Sequence, residues 1–179
     1  MLVKQPGRFG RVLMLDPVTP LGLELAPGQI DVLTQMKNDP ATCFAGMASA
    51  APTLFRTDSL APGQQPQFAL TATESQRRLF ERIIERTTVL SDGIWFGTPI
   101  NLAHEWQSKD LAGKMPQMKH EHLVLYGELD YWIPREHVEQ MCRSLPHCRL
   151  EVFPGLGHSM NLESPQKFAR IFSEFFHQD

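Results

Sequence analysis

The sequence predicts an α/β architecture, a parallel sheet with flanking helices, and three observations carry that reading. "VLML" at 12–15 and "HLVLYG" at 122–127 are mainly apolar without alternation, as strands covered on both faces are. From His122 onward the pattern runs strand, helix, strand, helix. Between the two apolar runs, residues 23–118 hold helical patches broken by Pro27-Gly28, Pro40, Pro52, Pro62-Gly63, Pro66 and Pro99.

The first strand is "RVLML", ended by Asp16-Pro17. "GQIDVLTQMK" and "INLAHEWQ" read as short helices. "ESQRRLFERIIERTTVL" (74–90) has apolar residues at 79, 80, 83, 84 and 90 with arginines opposite, the spacing of an amphipathic helix. Glu81 and Glu85 are a like-charged i, i+4 pair that neighbouring arginines offset. Residues 57–73 read as loop. "PREHVEQMCRSL" opens a helix with Pro134 at its first position, and Val138, Met141, Cys142 and Leu145 share a face. "CRLEVFPGLGH" is a strand and turn. In the closing helix, Ser164 caps, Pro165 opens, and Phe168, Ile171, Phe172, Phe175 and Phe176 form the apolar face.

The bulk composition excludes several classes. A length of 179 residues suits one core, and 42% hydrophobic with 21% charged residues is ordinary for a globular chain. A net charge of −3 without Lys/Arg clusters gives no nucleic-acid footprint. No stretch approaches the about 20 apolar residues of a membrane span, and the N-terminus does not read as a signal peptide. Cys43, Cys142 and Cys148 are odd in number and lack C-x-x-C spacing. The expectation is therefore small buried hydrophobes, no disulfide framework and a reducing, cytoplasmic setting.

Two acid/base residues fall just past strand ends. Asp130 follows "LVLYGEL" and His158 follows "LEVFPGLG". Loops converge at that edge of a parallel sheet, and glycines allow a strand to end in a tight turn. A hydroxyl nucleophile needs a base within reach, and the base needs a carboxylate to orient it.

Residues 122–176 resemble the C-terminal third of an α/β-hydrolase. The resemblance is carried by the strand–Gly–x–x–Asp turn, the 28-residue step from Asp130 to His158, and the G-x-G-H-S turn followed by Glu-x-Pro. "RVLMLDPVTP" resembles the strand that precedes the cap in that family. The resemblance implies an incomplete α/β-hydrolase fold: residues 1–22 a core strand, 23–118 a helical cap insertion, and 119–179 the C-terminal core. It makes Asp130 the triad acid and His158 the base, in the family's order, acting on an ester or other small acyl substrate. It implies no cofactor. Glu128 is a weaker alternative acid. Trp132 and Trp95 either line an apolar acyl pocket or pack the core, with Trp132 better placed for the pocket.

The nucleophile is missing. No Ser, Cys or Asp has glycines two residues away on both sides, so no G-x-S-x-G elbow or its equivalents is present. The glycine-rich oxyanion loop and the family's first five strands are absent as well. The expectation is a chain inactive alone, with an open edge at residues 12–15, that needs a complementary N-terminal segment as partner. The alternative is a non-catalytic remnant that binds a ligand or a partner chain. An Asp-nucleophile chemistry is a third reading. His120 and His122, two apart in "KHEHL", share a face, but no third metal ligand is evident.

Overall fold

The computed structural model describes residues 1–177. Its centre is a three-stranded sheet, β1 (Val12–Leu15), β2 (His122–Gly127) and β3 (Cys148–Phe153), in that order and all parallel. Val12 aligns with His122, and His122 with Cys148. The middle strand is wholly buried, while all four β1 residues are half-buried. Among the described residues β1 pairs on one side only, with β2.

Alternation along β2 divides the core into two layers. Val124 and Tyr126 face α5 (Arg135–Ser144), packing with Val138, Met141 and Met115. Leu123 and Leu125 face α7 (Pro165–Phe176), packing with Ile171, Phe175 and Met160. Burying an apolar side chain of this size contributes roughly 1.5–3 kcal/mol, which makes these layers the main support of the sheet. The expected apolar face of α7 is only partly covered. Ile171 and Phe175 are buried, but Phe172 and Phe176 remain 46% and 40% exposed. The helix presents a wider apolar stripe than the described residues cover.

The long segment between β1 and β2 is helical: α1 (Gln29–Asn38), α2 (Pro40–Ala48), α3 (Glu74–Thr88) and α4 (Thr98–Ser108). It has its own core of Phe55, Phe80, Leu54, Cys43, Ile84 and Trp95. α3 follows its predicted amphipathic pattern and starts with a capping box, Thr73 and Gln76 bonding each other's backbone N–H. The sequence pattern does not announce α2, because "PATCFAGMA" has no clean periodicity. Its start signal was nevertheless present: Asp39 accepts from the Ala41 and Thr42 N–H groups and Pro40 opens the helix. The 57–73 loop contains a short 3-10 turn at Thr57–Leu60 and one bridge, Phe55 to Phe68.

Two expectations need correction. Pro134 occupies the cap position before α5, with ψ of 127°, rather than the first helical position. Cys142 and Cys148 form a disulfide. The turn from α5 into β3 brings their Cα atoms to 5.3 Å, within bonding range, and the odd count concealed a pair plus one free thiol. Cys43 alone is the buried hydrophobe expected. With Cys142 and Cys148 paired, the cysteines give no support to a reducing, cytoplasmic setting. Among the described residues no helix is long and apolar enough to cross a membrane.

α6 (Met160–Glu163) joins the two parts. Leu162 packs into the helical core, and Gln76 of α3 donates its side-chain amide to the Leu162 and Glu163 carbonyls.

Candidate active site

Asp130 and His158 meet above the C-terminal edge of the sheet. His158 Nδ1 lies 2.9 Å from Asp130 Oδ2. The Asp130 side chain is fully buried, and that of His158 is 25% exposed. Asp130 uses its other oxygen, Oδ1, to accept from the Trp132 and Ile133 N–H groups at 2.7 and 3.1 Å. These bonds fold residues 130–133 into a side-chain-closed turn and fix the carboxylate before the imidazole engages it. Tyr126 reinforces the turn, donating its hydroxyl to the Asp130 and Ile133 carbonyls. Burial pushes the Tyr126 phenol up to about 12, so it remains a donor throughout the neutral range.

The His158 turn packs directly on the Asp130 turn. A Cβ at Gly127 would overlap the Leu156 and Gly157 carbonyls, so only glycine permits this approach. Gly155 has φ of +70°, the left-handed conformation that reverses the chain after β3. Leu129 N–H donates to the Leu156 carbonyl, and Ser159 N–H to the Ala50 carbonyl. Glu163 completes the seat. Its Oε1 accepts from Thr53 N–H and Oγ1, and its Oε2 from Gly157 N–H. One buried carboxylate thus ties the helical segment to the histidine turn.

Burial lowers the basicity of His158, but the Asp130 hydrogen bond and charge, with Asp16 and Glu163 adding to them, outweigh it and raise the pKa above its ordinary value. With the ring's Nδ1 side held by Asp130, Nε2 faces away and makes no hydrogen bond among the described residues. A carboxylate at Nδ1 favours the tautomer that carries its proton there and leaves Nε2 as an acceptor.

Trp132 stacks on the His158 ring, centroids 5.1 Å apart at 29°, and donates its indole N–H to Ser49 Oγ. Trp95 is placed elsewhere. It is buried in the helical core with its indole N–H on the Thr87 carbonyl, and shares none of the pair's hydrogen bonds or ring contacts. Glu128 accepts from Gly155 N–H and holds the turn instead of reaching His158. His120 Nε2 lies 2.9 Å from the Pro6 carbonyl oxygen, and burial holds His122 below its ordinary pKa. A cavity of about 900 Å³ between α2 and α3, walled by Phe44, Ile84, Glu81 and Glu85, includes none of these residues.

One residue at the site escaped the sequence reading. Asp16 ends β1 with φ of 39°, a left-handed conformation that Asp tolerates better than most residues. It is only 3% exposed, and its Oδ1 accepts from Gly127 N–H at 2.7 Å. Its Oδ2 has no hydrogen-bond partner among the described residues. Burial pushes its carboxyl up to about 7; the Gly127 N–H and His158 oppose the rise, and Asp130 and Glu163 add to it. The available signal was positional: Asp16 follows a strand at the same sheet edge as Asp130 and His158.

The sequence model of the alpha/beta hydrolase family matches residues 5–171. The chain is 32% identical over 66 residues to a pimeloyl-[acyl-carrier protein] methyl ester esterase of Nitrosomonas europaea, covering 37% of this chain and 26% of that one. Its fold is similar to that of an esterase from Exiguobacterium antarcticum, with TM-score 0.66 at 19% identity, covering 94% of this chain and 57% of that one. It is also similar to an enol-lactonase from Burkholderia xenovorans, with TM-score 0.61 at 15% identity, covering 98% and 59%. The chain spans a quarter of the curated relative and somewhat over half of the solved structures it matches.

Proposed function

Because the chain belongs to the alpha/beta hydrolase family, we propose that it carries the acid, the base and the cap of a hydrolase acting on an ester or other small acyl substrate. The observation that carries this reading is the 2.9 Å contact between His158 Nδ1 and Asp130 Oδ2 at the C-terminal edge of a parallel sheet. Asp130 keeps the proton on Nδ1, which leaves Nε2 as the acceptor for a hydroxyl proton. His158 takes that proton as the hydroxyl oxygen bonds the acyl carbon, and returns it to the departing alcohol. Water then attacks the acyl-enzyme with the same base assisting.

The nucleophile and oxyanion donors are supplied by a further segment, since no G-x-S-x-G elbow occurs in these residues. That segment would lie along the edge of β1 opposite β2 and beside the exposed stripe of α7. Residues 23–118 form the cap, and Trp132, stacked on His158, lines the acyl site. The esterase and enol-lactonase that the chain resembles act on such bonds by their names.

The test is hydrolysis of short-chain p-nitrophenyl esters by the longer protein that contains this chain and a nucleophile segment. His158→Ala is expected to lower kcat by at least about a thousandfold. Full activity in that variant would sink the reading. The missing elbow favours a second reading, a non-catalytic remnant that binds a ligand or partner chain. Hydrolysis that depends on His158 excludes it.

A further inference from the structure

The hydrogen bonding of the site leaves one acidic oxygen unexplained. Asp16 Oδ2 is buried, and among the described residues unpartnered, at the C-terminal edge of β1. One carboxylate oxygen of Asp16, one of Asp130 and one ring nitrogen of His158 all lie within 4.8 Å of one another. The charged groups that act on Asp16 include Asp130, His158 and Glu163. Glu163 already accepts from three donors, so it offers the cluster negative charge and no proton. Two buried carboxylates facing a single imidazole form a site short of positive charge.

We propose that Asp16, Asp130 and His158 form a binding site for a divalent transition metal ion of the Zn²⁺ class, and that metal occupancy and base catalysis exclude each other. Three atoms no more than 4.8 Å apart share a centre within about 2.8 Å of each, so small side-chain rotations suffice to reach Zn–N and Zn–O bonds of about 2.0–2.2 Å. One nitrogen and two oxygens are a donor set that Zn²⁺ accepts, with a fourth position for water. Mg²⁺ suits it poorly, because Mg²⁺ takes oxygen ligands in octahedral geometry. Entry is from the His158 side, where the ring is 25% exposed. Ligation replaces the proton between Asp130 and His158 by the metal and removes the orienting hydrogen bond on which the base depends. The site assigns Asp16 a role that the triad reading lacks, and metal binding stands or falls independently of whether the protein hydrolyses esters.

The experiment is calorimetric titration of the EDTA-stripped 179-residue chain with ZnCl₂, with MgCl₂ in parallel and no hydrolysis assay. One equivalent of Zn²⁺ is expected to bind and to raise the melting temperature, with no response to Mg²⁺. Asp16→Asn is near-isosteric and keeps an acceptor for Gly127 N–H; it should weaken Zn²⁺ binding at least about tenfold. His137→Gln, at a histidine stacked on Trp106, should leave binding unchanged. Should Asp16→Asn fold poorly by circular dichroism, NMR of the wild-type chain decides: Zn²⁺ must shift the His158 ring nitrogens at one equivalent. Failure of the wild type to bind Zn²⁺, binding unaltered in folded Asp16→Asn, or a first equivalent that leaves the His158 ring unmoved overturns the proposal.

Discussion

Asp130 Oδ2 and His158 Nδ1 face each other at 2.9 Å from two turns whose backbones touch at Gly127 and Gly157. The contact depends on both turns, because the backbone N–H groups of Trp132 and Ile133 orient the Asp130 carboxylate and the Gly155–Gly157 reversal presents the His158 imidazole.

Replacing Asp130 by Asn removes the charge while keeping the shape. Asp130 supplies the two largest influences that raise His158, so His158 in Asp130→Asn should titrate at lower pH than in the wild type. NMR of the imidazole in metal-free buffer reads this directly. For the wild type the sign is fixed: a folded-state value raised above the unfolded one contributes stability that is complete below the ordinary 6.5 and is lost as pH rises through the raised value.

Asp16 works in the opposite direction. Its pKa rises from 3.8 to about 7 on folding, so between those values the folded state holds a proton that the unfolded state has released. Stability from this residue is present at low pH and declines as pH climbs toward 7, by a total of order 2–4 kcal/mol. Asp16→Asn does not ionise, and in EDTA-containing buffer its urea-unfolding free energy should gain on the wild type across that window. Parallel pH profiles for the two proteins would refute the prediction.

Glu163 bridges Thr53 and Gly157 through three accepted hydrogen bonds. Glu163→Ala strands those donors in a part-buried seam and should cost about 3 kcal/mol. Glu163→Gln keeps one acceptor oxygen and should cost less. Chemical denaturation of the two variants gives the ranking, and limited proteolysis should find the junction between helical segment and histidine turn loosened in the Ala variant.

The Cys142–Cys148 bond closes a loop six residues apart in sequence. Chain-entropy arguments place its contribution at about 2 kcal/mol. Unfolding with and without a reductant should differ by that amount, and the Cys142→Ala/Cys148→Ala protein should be insensitive to reductant. Intact mass measurement of the oxidised chain reports whether the bond forms.

The parallel sheet, α3, α5 and α7 were legible because each rests on local pattern: unbroken apolar runs, or apolar residues on one helical face. Asp130 and His158 were legible because strand-end position and family spacing coincide in them. Other features are fixed by distant partners. Asp16 reads as the Asp of an ordinary Asp-Pro turn until β2 places Gly127 N–H against it. Trp95 resembles a pocket residue in sequence, and packing among Phe80, Leu54 and Ile84 makes it part of a core. The disulfide depends on how α5 turns into β3, a geometry that a count of three cysteines does not encode.

β1 ends at Leu15, and its partner strand begins at His122. The order of assembly follows from that gap. β2, α5 and β3 are consecutive and can close on one another locally, and the helical segment has a core of its own. β1 gains its hydrogen bonds only after roughly a hundred intervening residues have been brought back on themselves, and the entropy of that closure must be met before any pairing rewards it. Asp16 travels with β1, so the acidic cluster around His158 is completed late in folding. As an edge strand with half-buried residues, β1 is also the strand of the sheet whose amides should exchange with solvent first.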